Sequence, residues 1–97
     1  MPTYVCLMRF TSDGIQGIKD HPKRREGARK AAEAMGLSVK GVYLTLGPYD
    51  LTVLIEAPDD EMAATFALAS GMRGKISTLT MRAFTEAEAD KLIGGLP

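Results

Sequence analysis

Two short apolar runs, residues 42–46 and 51–55, flank Gly47-Pro48-Tyr49-Asp50. Both runs read as strands, so the residues between them form a hairpin connection. Asp50 opens the second strand. A carboxylate ahead of Leu-Thr-Val-Leu-Ile has to be solvated, paired or hydrogen-bonded, because burying it alone is costly. The rest of the chain is organised around this hairpin.

Upstream, residues 2–10 are dense in β-formers. Tyr4, Cys6, Met8 and Phe10 share one parity, and Val5 and Leu7 share the other. A strand apolar on both faces is central and covered on both sides. Thr11-Ser12-Asp13 is a cluster of capping residues, followed by Ile15 and Ile18 at helical spacing. His21-Pro22 then interrupts, since the residue before a proline is pushed out of the α region. The expectation is a short first turn ending near Asp20, with Pro22 starting a new segment. Ala28, Ala31, Ala32 and Met35 make its buried face, and Gly36 its C-terminal cap.

The second strand spans residues 37–46 and the third residues 49–56. In each, one parity is aliphatic (Val42, Leu44, Leu46; Leu51, Val53, Ile55) and the other mixed. The aliphatic parity is expected to meet helices. Asp59 is an N-cap candidate for a second helix with Met62, Phe66 and Ala69 on its inner stripe, ending at Gly71. A fourth strand spans residues 75–84, where Leu79, Met81 and Ala83 alternate with Thr78, Thr80, Arg82 and Phe84. Thr85 and Glu88 have the capping-box spacing and open a short helix with Ala89, Leu92, Ile93 and Leu96 on its apolar face. Gly94 and Gly95 let its end fray.

The order βαββαβ plus a terminal helix is the ferredoxin-like, split βαβ pattern, an α+β class. Right-handed crossovers place both main helices on one face of a four-stranded antiparallel sheet ordered four-one-three-two. The basic run over residues 19–30 would then lie beside the acidic run over residues 56–61 and be partly satisfied by it. The opposite face is expected to carry Tyr43, Thr45, Asp50, Thr52, Leu54, Thr78, Thr80, Arg82 and one parity of the first strand. Such a face is too apolar for water and too polar for a plain core. A second subunit laid sheet to sheet about a C2 axis would cover it.

At 97 residues the chain makes one domain, burying roughly 60–70% of its unfolded surface without metals or disulfides. Twelve basic residues balance twelve acidic ones, which argues against nucleic acid. Cys6 is the only cysteine, so no internal disulfide forms. No leader pattern and no run near the ~20 residues of a membrane span is present. A cytoplasmic location is therefore the expectation, with no metal set and no cofactor motif.

Residues 47–50 carry a resemblance. The chain resembles the GYD-domain family, named for a glycine, any residue, tyrosine, aspartate motif, here Gly47, Pro48, Tyr49 and Asp50. The likeness continues in Pro2-Thr3-Tyr4-Val5, in Gly17-Ile18-Lys19-Asp20 with Pro22-Lys23-Arg24, in Glu56 to Asp60, and in Arg82-Ala83-Phe84-Thr85. The resemblance implies a ferredoxin-like subunit of the dimeric α/β-barrel type. The family has no established activity, so no catalytic residue is carried over. The looser superfamily includes cofactor-free monooxygenases, isomerases, haem-degrading enzymes and sensor domains, which is analogy at the level of the fold.

Each candidate residue has a chemical and a structural reading. Asp50 and Tyr49 would orient or deprotonate a small polar ligand, or Asp50 would accept backbone amides and pin the hairpin while Tyr49 packs. Arg9 would pair with Asp50 if Val5, Leu7 and Arg9 face the partner subunit. Tyr43 and Arg82 complete the candidate ligand set. His21 is expected to be exposed at the kink, and Cys6 to be buried and inert. The leading reading is a homodimeric module holding a small molecule between sheet and partner. The alternative is a cofactor-free oxygenase or isomerase in the same space. A third reading is an interaction domain with a filled interface.

Overall fold

The structure, a computed structural model, describes residues 1–97. Strand β1 (Thr3–Phe10) is followed by a short helix α1 (Ser12–Gln16), a 3-10 turn (Ile18–Asp20) and helix α2 (His21–Ala34). Strands β2 (Ser38–Leu44) and β3 (Leu51–Glu56) form the hairpin. Helix α3 (Asp60–Met72), strand β4 (Ile76–Ala83) and helix α4 (Glu86–Gly94) complete the chain. The sheet is antiparallel throughout, in the order β2-β3-β1-β4. This is the expected ferredoxin-like arrangement. No helix is long and apolar enough to cross a membrane.

The caps explain where the helices start and stop. Thr11 Oγ1 accepts from the Gly14 amide, and Asp59 Oδ1 from the Met62 amide. Thr85 and Glu88 make both bonds of the capping box. At the end of α2, Leu37 N donates to Ala32 O and Gly36 N to Glu33 O, with Gly36 at φ +89. That is a Schellman motif, and the buried Leu37 supplies its apolar contact. Helix α3 runs past Gly71 to Met72; the chain turns at Gly74, whose φ is +78.

His21 departs from expectation. It precedes Pro22 yet is helical, at φ −56 and ψ −43. Pro22 falls in the first turn of α2, where a missing N–H costs nothing. The bend is made earlier, in the 3-10 turn. His21 is half-buried rather than exposed, with its ring edge-on to Phe10 at 5.2 Å.

The core lies between the sheet and the helices α2 and α3. Tyr4, Cys6 and Met8 of β1 and Leu51, Val53 and Ile55 of β3 are its sheet side. Ala32 and Leu37, with Ala63 and Phe66, close it from above. Phe66 is the shared member of the expected and observed stripes of α3; Ala63 and Ser70 are buried beside it, while Met62 and Ala69 are half-buried. The Tyr4 hydroxyl donates to Asp60 Oδ1 at 2.5 Å, tying β1 to the start of α3. That bond, helped by burial, raises the phenol above its usual range.

The expectation that Leu44 and Leu46 meet helices fails, since they are 76% and 102% exposed at and beyond the end of β2. Two larger expectations fail as well. First, β4 is turned over. Thr80 pairs with Cys6 and Thr78 with Met8, so Thr78, Thr80 and Arg82 share the helix side of the sheet. Leu79, Met81 and Ala83 take the open side. An edge strand permits this because its polar tips reach solvent at the margin. Thr80 Oγ1 lies 3.8 Å from Cys6 Sγ, and Arg82 lies over the Tyr4 and Phe84 rings. Second, no ion pair joins α2 to α3; the four pairs present are elsewhere. The two helices are antiparallel, so the basic start of α2 meets the end of α3 and not its acidic start.

The first turn after β1 is packed on backbone. Thr11 N donates to Lys75 O at 3.0 Å, and Thr11 Oγ1 to Gly74 O at 2.6 Å. A Cβ on Gly14 would lie 2.0 Å from Lys75 O, whereas one on Gly27, inside α2, would meet nothing within 4 Å. Gly14→Ala should therefore lose about 3 kcal/mol or more, the upper end of overpacking. Gly27→Ala should gain about 0.5–1 kcal/mol. Urea denaturation midpoints of the two variants check the pair.

Candidate functional site

The residues singled out by the sequence separate into three places. Gly47, Tyr49, Asp50 and Arg9 come together where the β2–β3 hairpin meets the end of β1. Gly47 has φ +117, a conformation open to glycine and strained for other residues. Thr45 N donates to Asp50 O, and Thr45 Oγ1 to Tyr49 O, closing the loop. Asp50 N continues the ladder to Met8 O at 2.8 Å. Phe10 N then donates to the Asp50 carboxylate, Oδ2, also at 2.8 Å. The side chain of Asp50 thus takes the place of the next carbonyl on β3. The ladder keeps its bond while the main chain of the hairpin swings away.

Arg9 does not pair with Asp50. Its Nε donates to Pro48 O at 2.6 Å, and its guanidinium lies 4.7 Å from the centre of the Tyr49 ring. Val5, Leu7 and Arg9 do share one parity, that of the open face. The group is a brace across the loop, with its charge stacked on an aromatic face.

Tyr43 stands on the open face of β2, opposite Thr52, and its ring crosses Gly41 closely enough that a Cβ there would be 2.9 Å away. Arg82 is at the far end of the sheet on the helix side. It donates to Thr3 O and Ala83 O, and Glu88 lies 3.9 Å away. Arg82 therefore cannot share a pocket with Asp50, Tyr49, Arg9 or Tyr43. Cys6 is fully buried, and burial pushes its thiol up, away from the reactive thiolate.

The centre of the open face is two cross-strand rows. Gly41, Leu54, Val5 and Met81 form one; Tyr43, Thr52, Leu7 and Leu79 form the other. No ionisable group other than the Tyr43 phenol lies in either row. Leu79 and Met81 are 43% and 44% exposed, and Tyr43 is 56% exposed. Helix α4 buries no residue and exposes Leu92 and Ile93, and Leu96 beyond its end is exposed too. Only 13 of 97 residues are buried, so apolar surface left outside the core is a principal feature of this chain. Leu79 and Met81 were missed as face residues because alternation within β4 marks two faces but not which one meets the helices.

A model of the GYD domain matches residues 4–93. A Thermus thermophilus protein named glutamine synthetase and cystathionine beta-lyase binding protein is 33% identical over 89 residues, covering 91% of this chain and 94% of its own. The crystal structure of TTHA0845, also from Thermus thermophilus, superposes with a TM-score of 0.57 at 24% identity, covering 88% of this chain and 95% of that one. The superposition is a likeness of fold.

Asp50→Ala leaves the Phe10 amide without its acceptor and should lose about 1–3 kcal/mol. Asp50→Asn keeps an oxygen there without the charge and should lose about half as much. Equilibrium denaturation of both variants measures this. His21 titrates below its ordinary value because of desolvation and the nearby Arg25 and Arg24. Its neutral form is favoured by folding, so the stability it contributes is present above about pH 6.5 and lost as pH falls through the folded value. Imidazole carbon shifts followed through pH by NMR should give a midpoint below 6.5.

Proposed function

The chain belongs to the GYD domain family, and we propose that it is a non-catalytic binding protein of the cytoplasm. Two copies pair through their open sheet faces, and the dimer docks on a metabolic enzyme. The observation that carries this reading is the pair of apolar rows at the centre of the open face. A surface of Val5, Leu7, Leu54, Leu79 and Met81 is stabilised by removal from water. A copy related by a two-fold axis offers the same rows in return. Docking on an enzyme is carried over from the Thermus relative, whose name gives glutamine synthetase and cystathionine beta-lyase as what it binds.

Turnover between the sheets is the weaker reading. An oxygenase or isomerase needs a positioned acid or base in a closed space. On this face the Asp50 carboxylate is engaged by the Phe10 amide and Arg82 is on the other side. A small ligand between the sheets has little polar surface to orient it, which favours a filled interface.

Sedimentation equilibrium tests the pairing. The chain should sediment as a dimer, and Leu79→Glu should sediment as a monomer with unchanged far-UV circular dichroism. A monomeric parent chain would sink the sheet-to-sheet reading. Immobilised protein should then retain purified glutamine synthetase or cystathionine beta-lyase. Retention of neither would remove the docking half of the proposal.

A further inference from the structure

Two adjoining cavities of this protein lie on the helix side of the sheet, not on the face expected to hold a ligand. A groove of about 460 Å³ opens between the start of α2 and the junction of α3 with β4. Arg24 and Arg25 line it from α2, and Arg73 and Lys75 from the junction. His21, Phe10 and Ser70 lie among them, and no carboxylate lines the groove. The antiparallel run of α2 and α3 produces this gathering, because it brings the basic start of one helix to the basic end of the other.

The cations are incompletely engaged. Arg24 donates to Gly17 O at 3.0 Å. Lys75 is 4.0 Å from Asp13, whose side chain is largely exposed. Arg25 and Arg73 are in none of the ion pairs. The Nε2 atom of His21 is buried without a hydrogen-bond partner. Like charges gathered around a concave surface repel one another and focus a positive potential that an anion relieves.

A second cavity continues from the groove. It measures about 90 Å³ and shares His21, Arg25 and Ser70 with it. Met8, Val53, Phe66 and Ile76 make its walls apolar. Water gains few partners there, and a bare inorganic anion would leave it unfilled. We infer that the groove and its apolar annex together bind a small organic anion with a short hydrocarbon tail, the charged head among Arg25, Arg73 and Lys75 and the tail against Phe66 and Met8. A carboxylate of a few carbons is the simplest member of this class. The site lies on the opposite side of the sheet from the proposed dimer face and stands without it.

NMR titration of the labelled full chain with acetate, butyrate, hexanoate, inorganic phosphate and butylammonium tests the inference. Butyrate should shift His21, Arg25 and Ser70. Affinity should rise roughly fourfold per methylene, the equivalent of about 0.8 kcal/mol, until the annex is full. Butylammonium should not bind. Arg73→Glu and Arg25→Glu, both at exposed positions, should each weaken butyrate about tenfold by reversing a charge beside the head. Lys91→Glu, away from the groove, should leave binding unchanged. Phosphate binding as tightly as butyrate, affinity independent of tail length, indifference to both arginine variants, or shifts confined to Leu7 and Met81 would each overturn it.

Discussion

The bond from the Phe10 amide to the Asp50 carboxylate is where the local and the global structure meet. A strand that ends beside a turning hairpin loses its next acceptor, and a buried amide without one is destabilising. Asp50 supplies the acceptor from a side chain. The consequences run both ways along the chain. On one side the loop is free to bend through Gly47 and to be braced by Arg9 on Tyr49. On the other, Phe10 is held at a fixed height, which sets where Thr11 caps α1 and where Gly14 meets the Lys75 carbonyl. The Phe10 ring in turn meets His21 at the mouth of the groove. The tyrosine and aspartate of the family motif thus each have a structural part in the hairpin.

Much of this fold was legible because its punctuation is local. The threonine caps, Asp59, the Thr85–Glu88 box and Gly36 each act within four residues of themselves, so spacing alone identifies them. Strand order followed from handedness rules that hold for any chain. What escaped was relational. The parity of β4 depends on which of its faces the helices cover, and the stretch from Thr78 to Ala83 is amphipathic in a way that suits either. The expectation of a satisfied charge asymmetry required knowing which ends of α2 and α3 are neighbours. His21 was misread because the bias of a residue before proline away from the α region is a tendency, and here His21 itself opens α2 with its ring against Phe10.

Of the candidate site, the sequence disclosed the motif and Arg9 beside it, but not which of the other candidates stand apart. Gly47, Tyr49, Asp50 and Arg9 do gather, and Tyr43 and Arg82 do not join them. The arginines and lysine around the groove come from stretches some 50 residues apart and carry no shared pattern. The two surfaces with most to offer a partner therefore lie back to back across one sheet. One is apolar; the other is concave, basic and small.

The antiparallel helices have a further consequence at the scale of the molecule. With a formal net charge of zero, the chain has no monopole to attract or repel a partner. Its charges are nonetheless separated into a dipole along the helix layer, since Arg24, Arg25, Arg73 and Lys75 gather at one groove while Asp59, Asp60 and Glu61 lie at the start of α3. Such a body turns before it is drawn in: the field of a charged neighbour exerts torque first and net force only through its gradient. Orientation rather than speed is what electrostatics contributes to its encounters, and added salt blunts that contribution within about 8–10 Å. Two-fold pairing would cancel every component of this dipole not parallel to the axis and double the component along it, so the direction of the axis would decide whether the pair keeps an oriented field.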